Sequence, residues 1–313
     1  MKAIIFKEAG GVENLLYTEL PTPGINSNEV LVKTEAISIN PVDVKTRAGK
    51  GFYGRIKDAD PKVIGWDVSG VVVEAGSDTT LKPGDEVFGM VDFPGQGKAY
   101  AEYVAAPAHH LALKPANSSF EEAAATTLAA LTAYQGLVHH AKVRKGQRIL
   151  VHAAAGGVGH FVVQIARHLG LYVIGTSSAR NKDFVLGLGA DEHIDYRAQR
   201  FEEAVQDVDL VFDAIGGENI TRSFGVLKPG GILLSIPTGI PEDITGQARE
   251  RGINAFFFLV QSDGGDMQVL ASWLQQGIIK PQISTYDFSQ MAEAHLQQET
   301  GRTKGKIVLR LKK

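Results

Sequence analysis

Between residues 152 and 159 the chain reads His-Ala-Ala-Ala-Gly-Gly-Val-Gly, a run whose chemistry is carried by backbone rather than side chains. Glycines let the main chain come close to a phosphate, and a following helix start offers N–H donors and the positive end of a dipole. Gly156, Gly157, Val158 and Gly159 are therefore the expected pyrophosphate anchor, with Ala154 where the first glycine of such a turn usually stands. A second group follows at Gly175-Thr-Ser-Ser-Ala-Arg-Asn-Lys182. Roughly 20 residues after the glycine turn, a site for NAD places Asp or Glu to accept from the ribose 2′-OH. Here no carboxylate comes before Asp183. Ser177, Ser178, Arg180 and Asn181 suit a 2′-phosphate instead, through hydroxyl donors and a charge-assisted guanidinium, so NADPH is expected over NADH. The same residues also have the composition of a helix cap with solvated cations.

These groups need particular elements to hold them. The apolar run Arg148–Ala153 reads as a buried strand, and the stretch from the turn to Leu169 as a helix, which is the context a dinucleotide turn requires. Alternation continues with strands at Leu171–Thr176, Glu192–Asp195, Asp209–Ala214, Gly231–Ile236 and Asn254–Val260. Helices are expected near Asn181–Leu188, Phe201–Val205 and Glu218–Leu227, giving a doubly wound parallel sheet. Residues 1 to about 120 differ. Short apolar runs at Ala3–Phe6, Val30–Thr34, Val68–Glu74, Glu86–Met90 and Ala101–Val104 alternate with Gly and Pro turns, as in a barrel-like β unit. Gly49–Pro61 reads as a mobile surface loop bearing Phe52 and Tyr53. Ser119-Phe-Glu-Glu122 starts an alanine-rich helix reaching about Ala130, followed by another through Tyr134 to His140. The tail holds helices at Met267–Gln276 and Ser289–Thr300, an extended piece at Pro281–Tyr286 and a strand at Lys306–Arg310. That strand has no place in the parallel unit, so it is expected to return to the first one.

Composition narrows the function. The 313 residues suffice for two domains, and 44% hydrophobic with 21% charged residues is ordinary for a globular chain. A net charge of −3 leaves no footprint for nucleic acid. No stretch approaches the length of a membrane helix. Met1-Lys-Ala-Ile-Ile-Phe6 is too short for a signal peptide, and a cytoplasmic location is expected. The absence of cysteine removes disulfides, thiolate zinc sites and cysteine nucleophiles.

Matching stretches then run from end to end: Ser38-Ile-Asn-Pro-Val-Asp-Val-Lys45, Gly65-Trp-Asp-Val-Ser-Gly-Val-Val72, Leu81-Lys-Pro-Gly-Asp-Glu-Val-Phe-Gly89, Ala153–Gly159, Leu188-Gly-Ala-Asp191 with Ile194-Asp-Tyr196, and Gly301-Arg-Thr-Lys-Gly-Lys-Ile-Val308. With these the chain resembles the zinc-independent medium-chain dehydrogenases/reductases, close to the quinone oxidoreductases and alkenal/enone reductases. The resemblance implies an α/β fold: a GroES-like β-rich catalytic domain (1–122 with 266–313) interrupted by an inserted Rossmann domain (123–265). It implies hydride transfer from NADPH to quinones or α,β-unsaturated carbonyls, with water as proton source. The other expectation is a non-catalytic NADPH-binding redox sensor or structural protein of the same fold.

The family's catalytic zinc ligands fall on Asn40, Trp66 and about Leu128, none able to hold the metal in the usual way, and the four-cysteine zinc loop is absent, so no metal is expected. The resemblance further implies that Asn40 orients the nicotinamide or substrate, that Lys45 and Arg302 contact the cofactor, and that Tyr196 lies near the 2′-phosphate. The nicotinamide is expected in the interdomain cleft near Asn40, Lys45 and Trp66. Tyr53 is a possible lid over a flat substrate, or an aromatic packed on its own domain. Asp43 and Asp67 read as buried or turn-stabilising carboxylates rather than acid/base groups. The pairs His109-His110 and His139-His140 lack metal-ligand spacing, since adjacent residues point apart. The apolar strand Asn254–Val260, near a sheet edge, predicts a homodimer.

Overall fold

The computed structural model describes residues 1–311. Its strands, in chain order, are β1 (Lys2–Phe6), β2 (Leu15–Glu19), β3 (Glu29–Ile39), β4 (Asp67–Ala75), β5 (Glu86–Met90), β6 (Tyr103–Pro107), β7 (Leu111–Leu113), β8 (Arg148–Val151), β9 (Tyr172–Ser177), β10 (Glu192–Asp195), β11 (Val208–Asp213), β12 (Leu227–Ser235), β13 (Asn254–Phe257), β14 (Ile283–Asp287) and β15 (Lys306–Arg310). The chain divides into two units, residues 1–131 with the tail from Gln261, and residues 132–260.

In the second unit six parallel strands run in the order β10-β9-β8-β11-β12-β13. Strands covered on both faces must be apolar along their length, and Ile149, Leu150, Val151, Val211 and Phe212 are each fully buried. Order reverses between β8 and β11, and it is at the carboxyl ends of such a pair that open α/β sheets bind ligands. The glycine turn leaves the end of β8. One core cluster, including Leu150, Ile174, Phe201, Val211, Phe224 and Leu233, backs it.

In the first unit the order is β14-β15-β3-β4-β5-β7, with β6 also on β3. The long β3 shares one edge between two partners: β6 pairs with residues 29–33 and β15 with residues 36–39. β15 thus returns from the far end of the sequence as expected. Its Ile307 and Leu309 enter the same core as Phe6, Ile37, Ile39 and Tyr100. The hairpin β1–β2 stands outside the main sheet, touching it through single bridges at Ala3–Ala101 and Ile5–Val63.

Several expectations are corrected. Gly49–Pro61 is not a featureless loop, because it holds a short helix, Tyr53–Ile56, whose Ile56 is buried. The alanine-rich helix ends at Ala125 rather than Ala130. Thr126 and Thr127 turn their hydroxyls onto the carbonyls of Glu122 and Ala124, the local competition that disfavours threonine in helices, before a new helix starts at Leu128. The apolar run from Asn254 keeps strand geometry only to Phe257. Elements outside these expectations include β2, the helix Pro41–Arg47, the three-residue β7, and the helix Glu242–Glu250. That last helix sets only Ala248 and the partly buried Ile244 against the core, too few apolar residues to announce it in sequence.

Because Leu309 is fully buried in the first unit's core, Leu309→Ala should cost about 2–5 kcal/mol. Urea unfolding should show the loss in the first unit's transition, with that of residues 132–260 unmoved.

Candidate functional site

In the second unit the glycine turn has the geometry of an anion cradle. Gly159 opens the helix Gly159–His168, whose first N–H groups lie ahead of the intrahelical ladder. A Cβ on Gly159 would stand 2.2 Å from the Ala153 carbonyl oxygen and 2.9 Å from the Ala154 Cα, so only glycine allows this approach. The left-handed residue of the turn is Ala153, at φ 53°. An L-residue there carries a strain of roughly 1 kcal/mol, held in place by the surrounding bonds. Ala154 N–H donates to the Thr176 carbonyl at 2.9 Å, and the Gly156 carbonyl accepts from His160. His152, at the turn's entrance, is buried between the Thr176 and Ser223 hydroxyls, 3.2 and 3.1 Å away. Burial pushes its imidazole down to about 4, so it is a neutral strut and not a base at physiological pH.

Next to the turn, the end of β9 gathers the residues expected to meet a 2′-phosphate. Ser177 and Ser178 are buried, Arg180 is exposed, and Asn181 Nδ2 reaches Ser178 Oγ at 3.5 Å. Tyr196 joins them from the end of β10, donating its N–H to the Ser177 carbonyl at 3.2 Å while its ring stays exposed. Arg197 lies over that ring, 5.7 Å from its centre. Two hydroxyls, a guanidinium and an exposed ring lie at these two strand ends, with Asp195 in register with Ser177. Asp213 at the end of β11 is fully buried and fully used, accepting from the N–H groups of Ile215 and Gly216 and from Asn219 and Ser235.

In the first unit the structure gathers residues far apart in sequence around one buried carboxylate. Asp67 Oδ2 accepts from Asn40 Nδ2 at 2.8 Å and from the Ser38 hydroxyl, and Oδ1 accepts from the Leu128 N–H at 3.0 Å. The Lys306 ammonium lies 3.6 Å from Oδ2 and donates to the Ile39 carbonyl and to Asn40 Oδ1. Two of the three positions that would hold zinc, Asn40 and Leu128, thus donate to Asp67. The third, Trp66, gives its indole N–H to the Gly95 carbonyl at 2.9 Å. Asn40 is clamped on both ends of its amide. Lys45 and Arg302 are exposed near this network in sequence, on the helix Pro41–Arg47 and in the turn before β15.

The network extends inward. Asp43 caps the start of its helix by accepting from the Asn40 N–H at 2.6 Å. Burial, and then the Asp67 charge, push its carboxyl up to about 7. Tyr100 bonds His295 Nε2 at 3.0 Å and is held as a phenol by burial and by Asp43. Burial, then Arg47, drive His295 down to about 3. Arg47 pairs with Glu299, and burial pushes Lys306 down against the pull of Asp67 and Asp43. Asp67 and Lys306 are what sequence reasoning missed as a pair. Asp67 was seen only as a buried carboxylate and Lys306 only as part of a closing strand.

The aromatic residues divide. Tyr53 packs on the core beside Phe6, their centroids 6.3 Å apart. Phe52 instead meets Trp66 and Phe93 edge-on at 6.2 and 5.2 Å. His109 and His110 do not point apart as expected, since a tight turn brings their rings within 4.2 Å. Among the described residues no cluster of His, Cys, Asp or Glu has the makings of a metal site. No helix among them is long and apolar enough to cross a membrane.

The raised Asp43 carboxyl fixes a pH dependence. Its folded value is near 7 and its free value 3.8, so between these the folded state holds the extra proton. Its contribution therefore makes stability fall as pH rises from about 4 to about 7. Urea midpoints across that range should fall less steeply in Asp43→Asn than in the unaltered protein, and parallel curves would refute the assignment.

Comparison with known proteins gives the family. Residues 26–116 match the alcohol dehydrogenase GroES-like domain, and residues 188–309 match the family described as zinc-binding dehydrogenase. The 2-methylene-furan-3-one reductase of Solanum lycopersicum is 38% identical over 99% of this chain and 79% of its own length. The NADPH-dependent alkenal/one oxidoreductase, chloroplastic, of Arabidopsis thaliana is 37% identical over the same shares. A solved quinone oxidoreductase from Coxiella burnetii superposes with a TM-score of 0.95 at 37% identity, covering 100% of this chain and 99% of that one. GroES-like sequence, a six-stranded Rossmann sheet and full-length relatives agree: the chain belongs to the medium-chain dehydrogenases/reductases, in the quinone and enone reductase subgroup.

Proposed function

We propose that this protein is an NADPH-dependent oxidoreductase that delivers hydride to quinones or α,β-unsaturated carbonyls without zinc. The observation that carries the reading is the end of β9, where Ser177, Ser178 and Arg180 occupy the place at which an NAD site sets a carboxylate. Support for the acceptor class comes from the relatives, which are named for enones and quinones.

The bound cofactor supplies hydride, and the chain's residues supply position and surroundings. Gly156–Gly159 would take the pyrophosphate on backbone N–H groups, and Ser177–Asn181 with Tyr196 the 2′-phosphate. In the first unit, Asn40 would orient the nicotinamide or the acceptor, its amide already locked by Lys306 and Asp67. Lys45 and Arg302 would add cationic contacts. Of the aromatics, Phe52, standing with Trp66 and Phe93, is better placed than Tyr53 to offer a flat apolar surface. A metal-free reaction is supported by the donor set at the zinc positions, where an amide in use, an indole and a leucine offer no ligand cage. Conjugated acceptors need no Lewis acid, because delocalisation absorbs the developing charge. A homodimer and a cytoplasmic location belong to the same reading. β13 is the outer strand of its sheet, paired only with β12 and with Phe257 exposed, an edge that a second copy would cover.

The test is an acceptor screen. NADPH oxidation is expected with quinones or enones and not with simple ketones, and tight NADPH binding with no turnover on any acceptor would refute the enzyme. Arg180→Ala should weaken NADPH about tenfold and leave NADH unchanged. Gly159→Ala should weaken both cofactors alike by about tenfold or more, since it disturbs the shared pyrophosphate anchor.

A further inference from the structure

His193 lies on β10, the outermost strand of the six-stranded sheet, in register with Gly175 of β9. Ser177 is two residues beyond Gly175, so the side chains of His193 and Ser177 leave the same face of the sheet. Between them Gly175 carries no side chain, and a Cβ there would stand 2.7 Å from Val185. The half-buried imidazole reaches along this face until its Nε2 is 2.7 Å from Ser177 Oγ.

That contact decides what Ser177 can offer an anion. A hydroxyl has one hydrogen, and in this fold it has two acceptors within reach: the His193 ring nitrogen, and the Ser178 carbonyl at 3.2 Å. If Nε2 is bare it takes the hydrogen, and Ser177 shows only lone pairs to an arriving phosphate. If Nε2 bears a hydrogen the ring becomes the donor, and the hydroxyl hydrogen is released. The charged groups facing the ring are Asp195 on its own strand and Lys182 at the start of the helix packed on β10. Burial outweighs Asp195 and holds the imidazole below its usual value of 6.5.

We propose that His193 is a specificity-determining positioning residue: by donating Nε2–H to Ser177 Oγ it turns the Ser177 hydroxyl toward the adenosine 2′-phosphate. The inference rests on the reading that this phosphate lies against Ser177–Asn181. A dianion placed one hydroxyl away also favours the imidazolium, and linkage makes this reciprocal: a protonated His193 tightens NADPH and leaves NADH, which lacks the phosphate, unaffected. Burial disfavours the charged ring in the free protein and the bound phosphate opposes that, so cofactor binding favours proton uptake there.

The experiment titrates NADPH and NADH into the full-length protein by calorimetry at about pH 6.5 and 8.5, comparing variants at each pH so that the phosphate's own ionisation cancels. His193→Ala should weaken NADPH about tenfold, more at the lower pH, with NADH within about twofold. His193→Gln, whose amide N–H can donate to Ser177 without titrating, should recover NADPH affinity at the higher pH and lose the pH-dependent difference. Nitrogen-15 spectra of the imidazole should show His193 titrating higher with NADPH bound than with NADH. An equal loss for both cofactors in His193→Ala, no loss for either, or an unmoved imidazole would overturn the proposal. The variants Ser177→Ala and Arg180→Ala separate the two levels. If neither changes the NADPH to NADH ratio, the phosphate is elsewhere and both readings fall. If both lower it and His193→Ala does not, only the role of His193 falls.

Discussion

A carboxylate taken wholly out of water has to be ringed by donors, and in the first unit Asp67 is that carboxylate. Its ring comes from Ser38 and Asn40 at the end of β3, the Leu128 N–H at the start of a helix, and Lys306 at the start of β15. Each donor fixes one element against β4, on which Asp67 itself sits. Removing Lys306 leaves the buried carboxylate without its counter-charge, which is far more costly than the modest net value of an intact pair. Asn40 gains most from this arrangement. Its carboxamide is held at both ends, so a side chain that is otherwise free to flip has one orientation.

The same chemistry explains how a fold shared with metal enzymes is organised here. Asn40 and the Leu128 N–H, at or near positions expected to correspond to zinc ligands, point donors at Asp67, and the positive charge beside that carboxylate is an ammonium. A second carboxylate, Asp43, shares that single lysine, and burial first, then the nearby Asp67 charge, make it keep its proton to about 7. Further in, Tyr100 and His295 stay neutral because burial penalises the charged form of each.

What could be read beforehand was local. The glycine turn, its strand and its helix lie within about twenty consecutive residues, and Ser177 to Asn181 follow on the next strand, so spacing alone located them. Even there residue types do not show that Ala153 takes a left-handed backbone, because an alanine carries no sign of positive φ. The ring around Asp67 was not legible, since residues 38, 40, 67, 128 and 306 meet only after three strands pair. His193 was equally hidden, as its use depends on a register between β9 and β10 that periodicity does not set. Gly49–Pro61 misled through composition: glycine and charge dominate it, yet Ile56 is enough to fasten a turn of helix to the core.

The path of β15 has a consequence for how the chain is made. The strands of residues 132–260 are contiguous in sequence, so that unit is complete as soon as its last strand leaves the ribosome. The residues made first must wait, because the seat on β3 at residues 36–39 and the cation for Asp67 arrive only with Lys306–Arg310, after the whole of residues 132–260 has been made. Domains usually mature in the order of synthesis. Here the order is inverted, and the nascent chain carries an unfinished sheet edge in its first unit until Lys306–Arg310 emerges.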